Sequence, residues 1–179
     1  MSTEFTFKLL LIGDASVGKT TLTFRYIKEV YIPDPRLTIG VDFYSKKIRL
    51  KNSGQTVKLQ IWDFGGENRF RFLLPTYSKN ANACFFVFDL TRKETLESID
   101  DWLKVVYENA GEIPVVLVGA KSDLEGQREV SYEEGENVAK DKGLKSYIEL
   151  SSKTGDNIEA SFDIISQLLS MEVDKRSKE

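Results

Sequence analysis

The chain has 179 residues, a length typical of one domain with a substantial core, and a formal net charge of −3 at pH 7. That charge gives no electrostatic reason to expect nucleic-acid binding. The chain contains no histidine, which excludes Ser-His-Asp hydrolysis, Cys-His catalysis and histidine-ligated metal sites. A single cysteine, Cys84, excludes an internal disulfide and a cysteine-cluster zinc site, and it fits a reducing setting.

Apolar segments alternate with amphipathic ones along the chain. Six apolar segments predict β-strands, at residues 7–13, 42–50, 55–63, Ala83–Asp89, 114–119 and Ser146–Leu150. Amphipathic segments between them predict helices, beginning with Lys19–Lys28 and including a short helix near residues 70–78. This order predicts an α/β fold with a six-stranded, mostly parallel sheet, one antiparallel strand and helices on both faces.

Local signals predict where helices begin and where the domain ends. Thr91 and Ser131 are each followed, three residues later, by a glutamate, which is the spacing of a capping box. We expect residues 1–173 to form a single domain and the polar residues 174–179, DKRSKE, to form a short flexible tail. No segment approaches the ~20 apolar residues of a membrane span.

Residues 13–20 read GDASVGKT and match the phosphate-binding pattern GxxxxGK followed by Ser or Thr. The match lies between a predicted strand and a predicted helix, which favours a P-loop over a plain glycine turn. In a P-loop the backbone N–H groups and the helix dipole attract phosphate. We expect Lys19 to contact the outer phosphates and Thr20 to ligate Mg²⁺. The predicted nucleotide contacts of this loop are Asp14, Ala15, Ser16, Val17, Gly18, Lys19, Thr20 and Thr21.

A second pattern, DFGG, follows the third predicted strand. Asp63 can hold Mg²⁺ through a water molecule, and the N–H of Gly66 can contact the terminal phosphate. Thr38 is a further candidate Mg²⁺ ligand, although a lone loop threonine would carry no such meaning. The letters DFG also occur in protein kinases, but this chain has neither a histidine for the kinase catalytic loop nor a GxGxxG loop.

A third pattern, GAKSD, ends the fifth predicted strand and is a candidate site for the base. Asp123 can accept two hydrogen bonds from the ring N–H and amino group of guanine, whereas adenine would leave the carboxylate unpaired. The aliphatic stem of Lys121 can pack over the base. The loop after the sixth strand can offer backbone N–H groups to the guanine carbonyl, from Ser151, Ser152 and Lys153.

These motifs resemble those of the Ras superfamily of small GTPases, and most of all its Rab branch, over residues 7–169. Besides the P-loop, the similar strings are TIGVDF from residue 38, KLQIWD from residue 58 and RFR from residue 69. The resemblance implies bound GTP or GDP with Mg²⁺, and a Tyr31 that packs against the guanosine. It also implies that Thr38 senses the γ-phosphate.

The same resemblance implies two switch segments, around Thr38 and over residues 66–77, that meet effector and regulatory proteins. In Rab proteins an exposed aromatic triad contacts effectors, and the matching residues here are Phe43, Trp62 and Tyr77. Ordinary sheet packing is the alternative role for these three rings.

The chain departs from the family's pattern at four places. Glu67 replaces the catalytic glutamine, Ala120 replaces the asparagine of the base motif, and Pro35 replaces a tyrosine that covers the phosphates. These changes bear on hydrolysis rate, affinity and closure of the phosphate site, respectively. No cysteine lies near residue 179, so we expect a cytoplasmic monomer without a direct lipid anchor, recruited to membranes through partners.

The leading interpretation is a GTP/GDP switch that hydrolyses GTP slowly, with catalytic positions at Lys19, Thr38, Gly66 and Glu67. The alternative is a guanine-nucleotide-binding pseudo-GTPase with little or no turnover, acting as a partner-binding module. Glu67 distinguishes these two interpretations. A P-loop kinase that phosphorylates a metabolite would explain neither Asp123 nor Thr38.

Overall fold

A computed structural model of the chain describes residues 5–176. The strands are β1 (Thr6–Ile12), β2 (Val41–Arg49), β3 (Thr56–Phe64), β4 (Ala83–Asp89), β5 (Val115–Ala120) and β6 (Ser146–Leu150). The helices are α1 (Lys19–Lys28), α2 (Leu74–Tyr77), α3 (Glu94–Glu97), α4 (Ile99–Ala110), α5 (Tyr132–Asp141) and α6 (Ile158–Arg176). Short 3-10 helices span Asn68–Leu73 and Glu125–Gln127.

The strands form one sheet in the order β2-β3-β1-β4-β5-β6. Among the strands of residues 5–176, only β2, which pairs with β3, runs antiparallel; the other four pairings are parallel. The predicted fold class is therefore confirmed. Because β1, β3, β4, β5 and β6 run the same way, their carboxyl ends lie along one edge, where ligands bind in sheets of this kind.

Helices cover both faces of the sheet, as the sequence predicted. Leu11 of β1 lies in a core shared with α1 and α6, where the rings of Tyr26 and Phe162 stack with centroids 3.5 Å apart. Its neighbour Leu10 points to the opposite face and lies in a second core with α4. Every residue of β4 and β5 is buried, as expected for central parallel strands covered on two sides.

The predicted capping box at Thr91 is wrong, whereas the one at Ser131 is confirmed. Ser131 Oγ accepts from the N–H of Glu134, and the Glu134 carboxylate accepts from the N–H of Ser131. Thr91 instead donates both its N–H and its hydroxyl to Asp89 Oδ1. The buried carboxylate at the end of β4 therefore captures the hydroxyl that would have capped α3.

The last helix is longer than the sequence suggested. α6 extends through Arg176, so residues 174–176 of the predicted flexible tail are helical, and residues 177–179 lie outside the described part of the chain. Val173 is 1% exposed because it continues the apolar stripe that begins with Phe162 and Leu169, and this packing extends the helix. Within residues 5–176, no helix has the length and apolar character needed to cross a bilayer.

Candidate nucleotide-binding site

A cavity of about 410 Å³ opens at the carboxyl edge of the sheet, where the loops after β1, α1, β3, β5 and β6 meet. Most of the predicted site residues line it: Ala15, Ser16, Gly18, Lys19, Thr20, Thr21, Tyr31, Thr38, Gly66, Glu67, Lys121, Asp123, Ser152 and Lys153. The tertiary structure therefore brings the P-loop, the DFGG motif and the base motif to one site. A cavity of this volume is within the usual range for small-molecule sites.

Four predicted residues, Asp14, Val17, Asp63 and Ser151, are not part of the cavity wall. Val17, Asp63 and Ser151 are completely buried behind it. Other wall residues were not predicted as site residues: Pro33, Asp34, Arg36, Leu37, Phe64 and Leu124. Most belong to the loop between α1 and β2, and Pro35 also lines the cavity, so this loop covers the site although the family's tyrosine is missing.

The P-loop adopts a conformation that requires glycine at its two ends. Gly13 has a φ of 140°, and a Cβ there would overlap the carbonyl oxygen of Val87 in β4. Gly18, immediately before α1, has a φ of 113°. Gly66 is equally constrained, since a Cβ would overlap the backbone of Asp14 and Ala15. The end of the DFGG motif therefore lies directly against the P-loop.

Lys19 is folded back over its own loop. Its side chain is 5% exposed, and Nζ donates to the carbonyl oxygens of Gly13 and Asp14, each at 2.7 Å. Burial lowers its pKa to about 8, while the carboxylates of Asp63 and Asp14 oppose that shift. A bound phosphate would add negative charge beside the ammonium group and favour its protonated form.

Three side-chain oxygen atoms converge at the N-terminal end of α1. Thr20 Oγ1 donates to Asp63 Oδ2 at 2.6 Å and lies 2.8 Å from Thr38 Oγ1, which is 3.5 Å from the same Asp63 oxygen. Among residues 5–176, Asp63 Oδ1 is buried without a hydrogen-bond partner, and burial raises the pKa of this carboxyl to about 6. A buried, under-satisfied carboxylate is a place where a cation would relieve the cost of burial.

This oxygen cluster fits Mg²⁺. The hydroxyls of Thr20 and Thr38 are hydrogen-bonded at 2.8 Å, and two neighbouring ligands of an octahedral Mg²⁺ with Mg²⁺–O distances of about 2.0–2.1 Å would lie at a similar separation of about 2.9 Å. Thr20 and Thr38 could hold the ion directly and Asp63 through water. Within the described residues, no group of three acidic, cysteine or histidine side chains is placed to hold a metal ion.

Glu67 lines the cavity and is paired with Arg69. Arg69 Nη2 donates to Glu67 Oε1 at 3.2 Å, and Arg69 Nε lies 3.0 Å from Oε2, which is a two-pronged ion pair. The Glu67 side chain is 30% exposed. The carboxylate at the position of the family's glutamine therefore has a cationic partner two residues further along the same segment, a contact that the sequence did not predict.

At the opposite end of the cavity, the base motif is held by neighbouring loops. Asp123 Oδ1 accepts from Ser151 Oγ at 2.6 Å, which leaves Oδ2 and the second lone pair of Oδ1 for a ligand. Lys121 has a φ of 67°, and its Nζ donates to Ser16 O at 2.9 Å and pairs with Asp89 Oδ2 at 2.6 Å. Ser151 thus contacts Asp123 from behind the cavity wall, and its N–H, which was expected to face the guanine carbonyl, donates to Asp156 O instead.

Comparison with known proteins agrees with this geometry. The sequence profile of the Ras family matches residues 8–170. The chain belongs to the Ras family. It is 40% identical to Ras-related protein rab-39 of Caenorhabditis elegans, over 96% of this chain and 76% of the relative. It is 36% identical to Ras-related protein Rab-8A of Bos taurus and of Rattus norvegicus, over 97% of this chain and 83% of each relative. The prediction of a Rab-like small GTP-binding protein is therefore confirmed.

The segment that would form the second switch of this Ras family protein is tied to the P-loop by a side-chain network. Asp14 Oδ1 accepts from Trp102 Nε1 of α4 at 2.9 Å and from Arg71 Nη2 at 3.3 Å. The Arg71 guanidinium lies over the Trp102 ring, 4.6 Å from its centroid. Asp14 was predicted to contact phosphate. Its carboxylate does not line the cavity and accepts these two hydrogen bonds instead.

The predicted aromatic triad forms one cluster on the surface of β2, β3 and α2. Phe43 packs edge-on against Trp62 at 4.5 Å between centroids, and Tyr77 lies 5.5 Å from Trp62. Lys8 Nζ lies 3.5 Å from the Trp62 ring centroid. Phe43 is 55% exposed, whereas Trp62 and Tyr77 are partly buried and pack on the second core, so the cluster combines an accessible ring with sheet packing.

Proposed function

We propose that this Ras family protein binds GTP and GDP with Mg²⁺ and hydrolyses GTP slowly, acting as a conformational switch. One observation carries the proposal: the oxygen atoms of Thr20, Thr38 and Asp63 meet beside Lys19 at one end of a cavity whose other end Asp123 lines. These residues come from α1, the loop between α1 and β2, β3 and the loop after β5, and together they would provide for a metal, phosphates and a guanine base.

The proposed chemistry depends mainly on electrostatics. Mg²⁺ would neutralise charge on the phosphate oxygens and help to fix their orientation. Lys19 would exchange its two backbone carbonyl acceptors for phosphate oxygens and stabilise the charge that develops during transfer. The N–H of Gly66, which lies against the P-loop, is placed to contact the terminal phosphate.

Glu67 explains why hydrolysis is proposed to be slow. A carboxylate can accept a hydrogen bond from the attacking water, but while ionised it cannot donate one, as a glutamine amide can. Its ion pair with Arg69 offsets the negative charge that it would otherwise place beside phosphate. The same pair holds the carboxylate in one orientation, which limits how it can approach the water.

The conformational switch would consist of the two loops that contact the terminal phosphate. Gly65 N donates to Gly40 O at 2.7 Å, and a Cβ at Gly65 would approach Thr38 O to 2.6 Å, so these loops already contact each other. GTP would hold Thr38 and Gly66 in place, and loss of the γ-phosphate would release them. Effector or regulatory proteins would read this difference on the adjoining aromatic cluster. We further propose a cytoplasmic monomer that reaches membranes through such partners.

A second candidate function is guanine-nucleotide binding without turnover. The ion pair between Glu67 and Arg69 favours it, because a carboxylate committed to an arginine is less available to a water molecule. In this alternative the protein would be a partner-binding module held in one nucleotide state.

Single-turnover phosphate release from GTP-loaded protein separates the two functions. We expect release above background in the wild type and a faster rate in Glu67→Gln, because the amide regains a donor. Glu67→Ala is the matched control, because alanine offers neither a donor nor an acceptor. Equal rates in all three proteins would show that Glu67 has no role, and release in Glu67→Gln alone would favour the binding module.

A further inference from the structure

Two neighbouring carbonyl groups of the P-loop are held from outside the loop by two cations. Arg92 Nη2 donates to Ala15 O at 3.0 Å, and Lys121 Nζ donates to Ser16 O at 2.9 Å. Arg92 belongs to the turn between β4 and α3, 77 positions away along the chain, and matched none of the sequence motifs.

Both cations are anchored on one buried carboxylate. Asp89 Oδ2 lies 3.2 Å from Arg92 Nε and 2.6 Å from Lys121 Nζ, and the Asp89 side chain is 1% exposed. Burial alone would raise the pKa of Asp89, but the hydrogen bonds from Lys121 and Thr91 outweigh it and hold that pKa below its usual value. Asp89 therefore stays ionised and fixes both cations beside the P-loop.

The contacts of Arg92 and Lys121 with the P-loop matter because residue 120 is an alanine. Ala120 pairs with Asp89 across β4 and β5, and it presents only a methyl group to the P-loop, where its Cβ lies 3.7 Å from the position of a Cβ on Gly18. At this position the family has an asparagine, whose amide could bond to backbone groups. The alanine cannot, so Arg92 and Lys121 provide the side-chain connections between the P-loop and these two strands.

Peptide geometry links the outer contacts to the phosphate side of the loop. In a planar trans peptide the C=O and the following N–H point in opposite directions. When Arg92 holds the carbonyl of Ala15, the N–H of Ser16 is fixed on the other side, and Lys121 does the same for the N–H of Val17. N–H groups fixed in this way form an anion-binding concavity.

We propose that Arg92 is a positioning residue for phosphate binding, which holds the Ala15–Ser16 peptide in its phosphate-binding orientation and ties the P-loop to β4. Arg92 reaches its two partners with different nitrogens of one rigid fork, so a lysine would replace it only in part. The inference rests on the proposed nucleotide binding and adds a residue to it.

The test is the release rate of a fluorescent GDP analogue in excess unlabelled GDP and Mg²⁺. We expect Arg92→Ala to release about three- to tenfold faster than wild type, the range for one lost hydrogen bond, with Arg92→Lys between them. Lys93→Ala is the matched control, because Lys93 is the exposed neighbour and its Nζ pairs with Glu134, away from the P-loop. It should release at the wild-type rate.

Two further measurements separate positioning from general loosening. Competition by guanosine, which lacks phosphates, should be equal in Arg92→Ala and wild type, so that only GDP binding weakens. In the Ala120→Asn background, Arg92→Ala should have a smaller effect, because the amide takes over part of the tether. Equal weakening of guanosine and GDP would overturn the proposal, and so would full additivity of the two substitutions.

The outcomes also distinguish this inference from the proposed function. A wild-type protein that retains no guanine nucleotide would overturn both. A wild type that binds GDP, with Arg92→Ala and Arg92→Lys releasing it at the wild-type rate, would overturn the role of Arg92 alone.

Discussion

Ala120 brings only a methyl group to the wall between the P-loop and the base motif. We predict that Ala120→Asn slows GDP release by a few-fold to about tenfold, because one net hydrogen bond contributes about 0.5–1.5 kcal/mol. Stopped-flow release of a fluorescent GDP analogue measures this, with Ala120→Ser as a smaller polar control. Release at the wild-type rate in Ala120→Asn would show that the position does not limit affinity.

Asp63 is completely buried, and among residues 5–176 its Oδ1 has no hydrogen-bond partner. Because its pKa is raised to about 6 in the folded protein, the native state binds this proton more tightly than the unfolded chain does. Stability of the metal-free, nucleotide-free protein should therefore fall as pH rises from about 4 to 6 and stay lower above that range.

We predict that Asp63→Asn removes this loss and raises the free energy of unfolding at pH 7.5, by up to about 3 kcal/mol for a shift of roughly two pKa units. Urea unfolding in EDTA at pH 5 and pH 7.5 gives the comparison. The same variant should lose the effect of Mg²⁺ on nucleotide retention. A less stable Asp63→Asn protein at pH 7.5 would mean that the hydrogen bond from Thr20 outweighs the cost of burial.

At the scale of elements, the segment from the 3-10 helix Asn68–Leu73 to α2 contains one buried residue, Leu74. Leu74 and Tyr77 pack on the second core, whereas the 3-10 helix has no buried residue. Arg71 connects this helix to the P-loop and α4, since it is paired with Asp14 and stacked on Trp102. The 3-10 part of the segment is therefore held mainly by polar contacts, which favours local opening.

We predict that Arg71→Ala increases amide hydrogen exchange in residues 68–77 by about fivefold, corresponding to roughly 1 kcal/mol for a partly exposed ion pair with ring stacking. Hydrogen exchange measured by mass spectrometry in the GDP-bound and nucleotide-free forms tests this. Lys79→Ala, just beyond the segment, is the control. Unchanged exchange would show that the segment is held by its backbone contacts instead.

For the whole molecule, nucleotide should act as a stabilising ligand, because the cavity is assembled from loops that separate on unfolding. A ligand at 100 times its Kd adds about 2.7 kcal/mol to the native state, or roughly 5–10 °C in Tm for a domain of this size. We expect GDP with Mg²⁺ to give such a shift, EDTA to reduce it, and ATP with Mg²⁺ to give none. Equal shifts with ATP and GDP would contradict the assignment of Asp123 to guanine.

The amino-acid sequence alone determined the parts of this protein that depend on short-range chemistry. Alternating apolar and amphipathic segments located all six strands and α1. The GDASVGKT loop was identified between a strand and a helix, because the spacing of its glycines and its place in the chain suffice to define a P-loop. Side-chain character likewise pointed to Asp123, Thr38 and Asp63 before their positions were known.

The tertiary structure alone decided which distant residues meet. Arg92 reaches Ala15 across 77 positions and Trp102 reaches Asp14 across 88, and the strand order that brings them together leaves no local pattern. The predicted cap at Thr91 was wrong for the same reason, since a buried carboxylate competed for its hydroxyl. Propensity acts over a few neighbouring residues, whereas hydrogen bonds between loops depend on how the sheet places the ends of its strands.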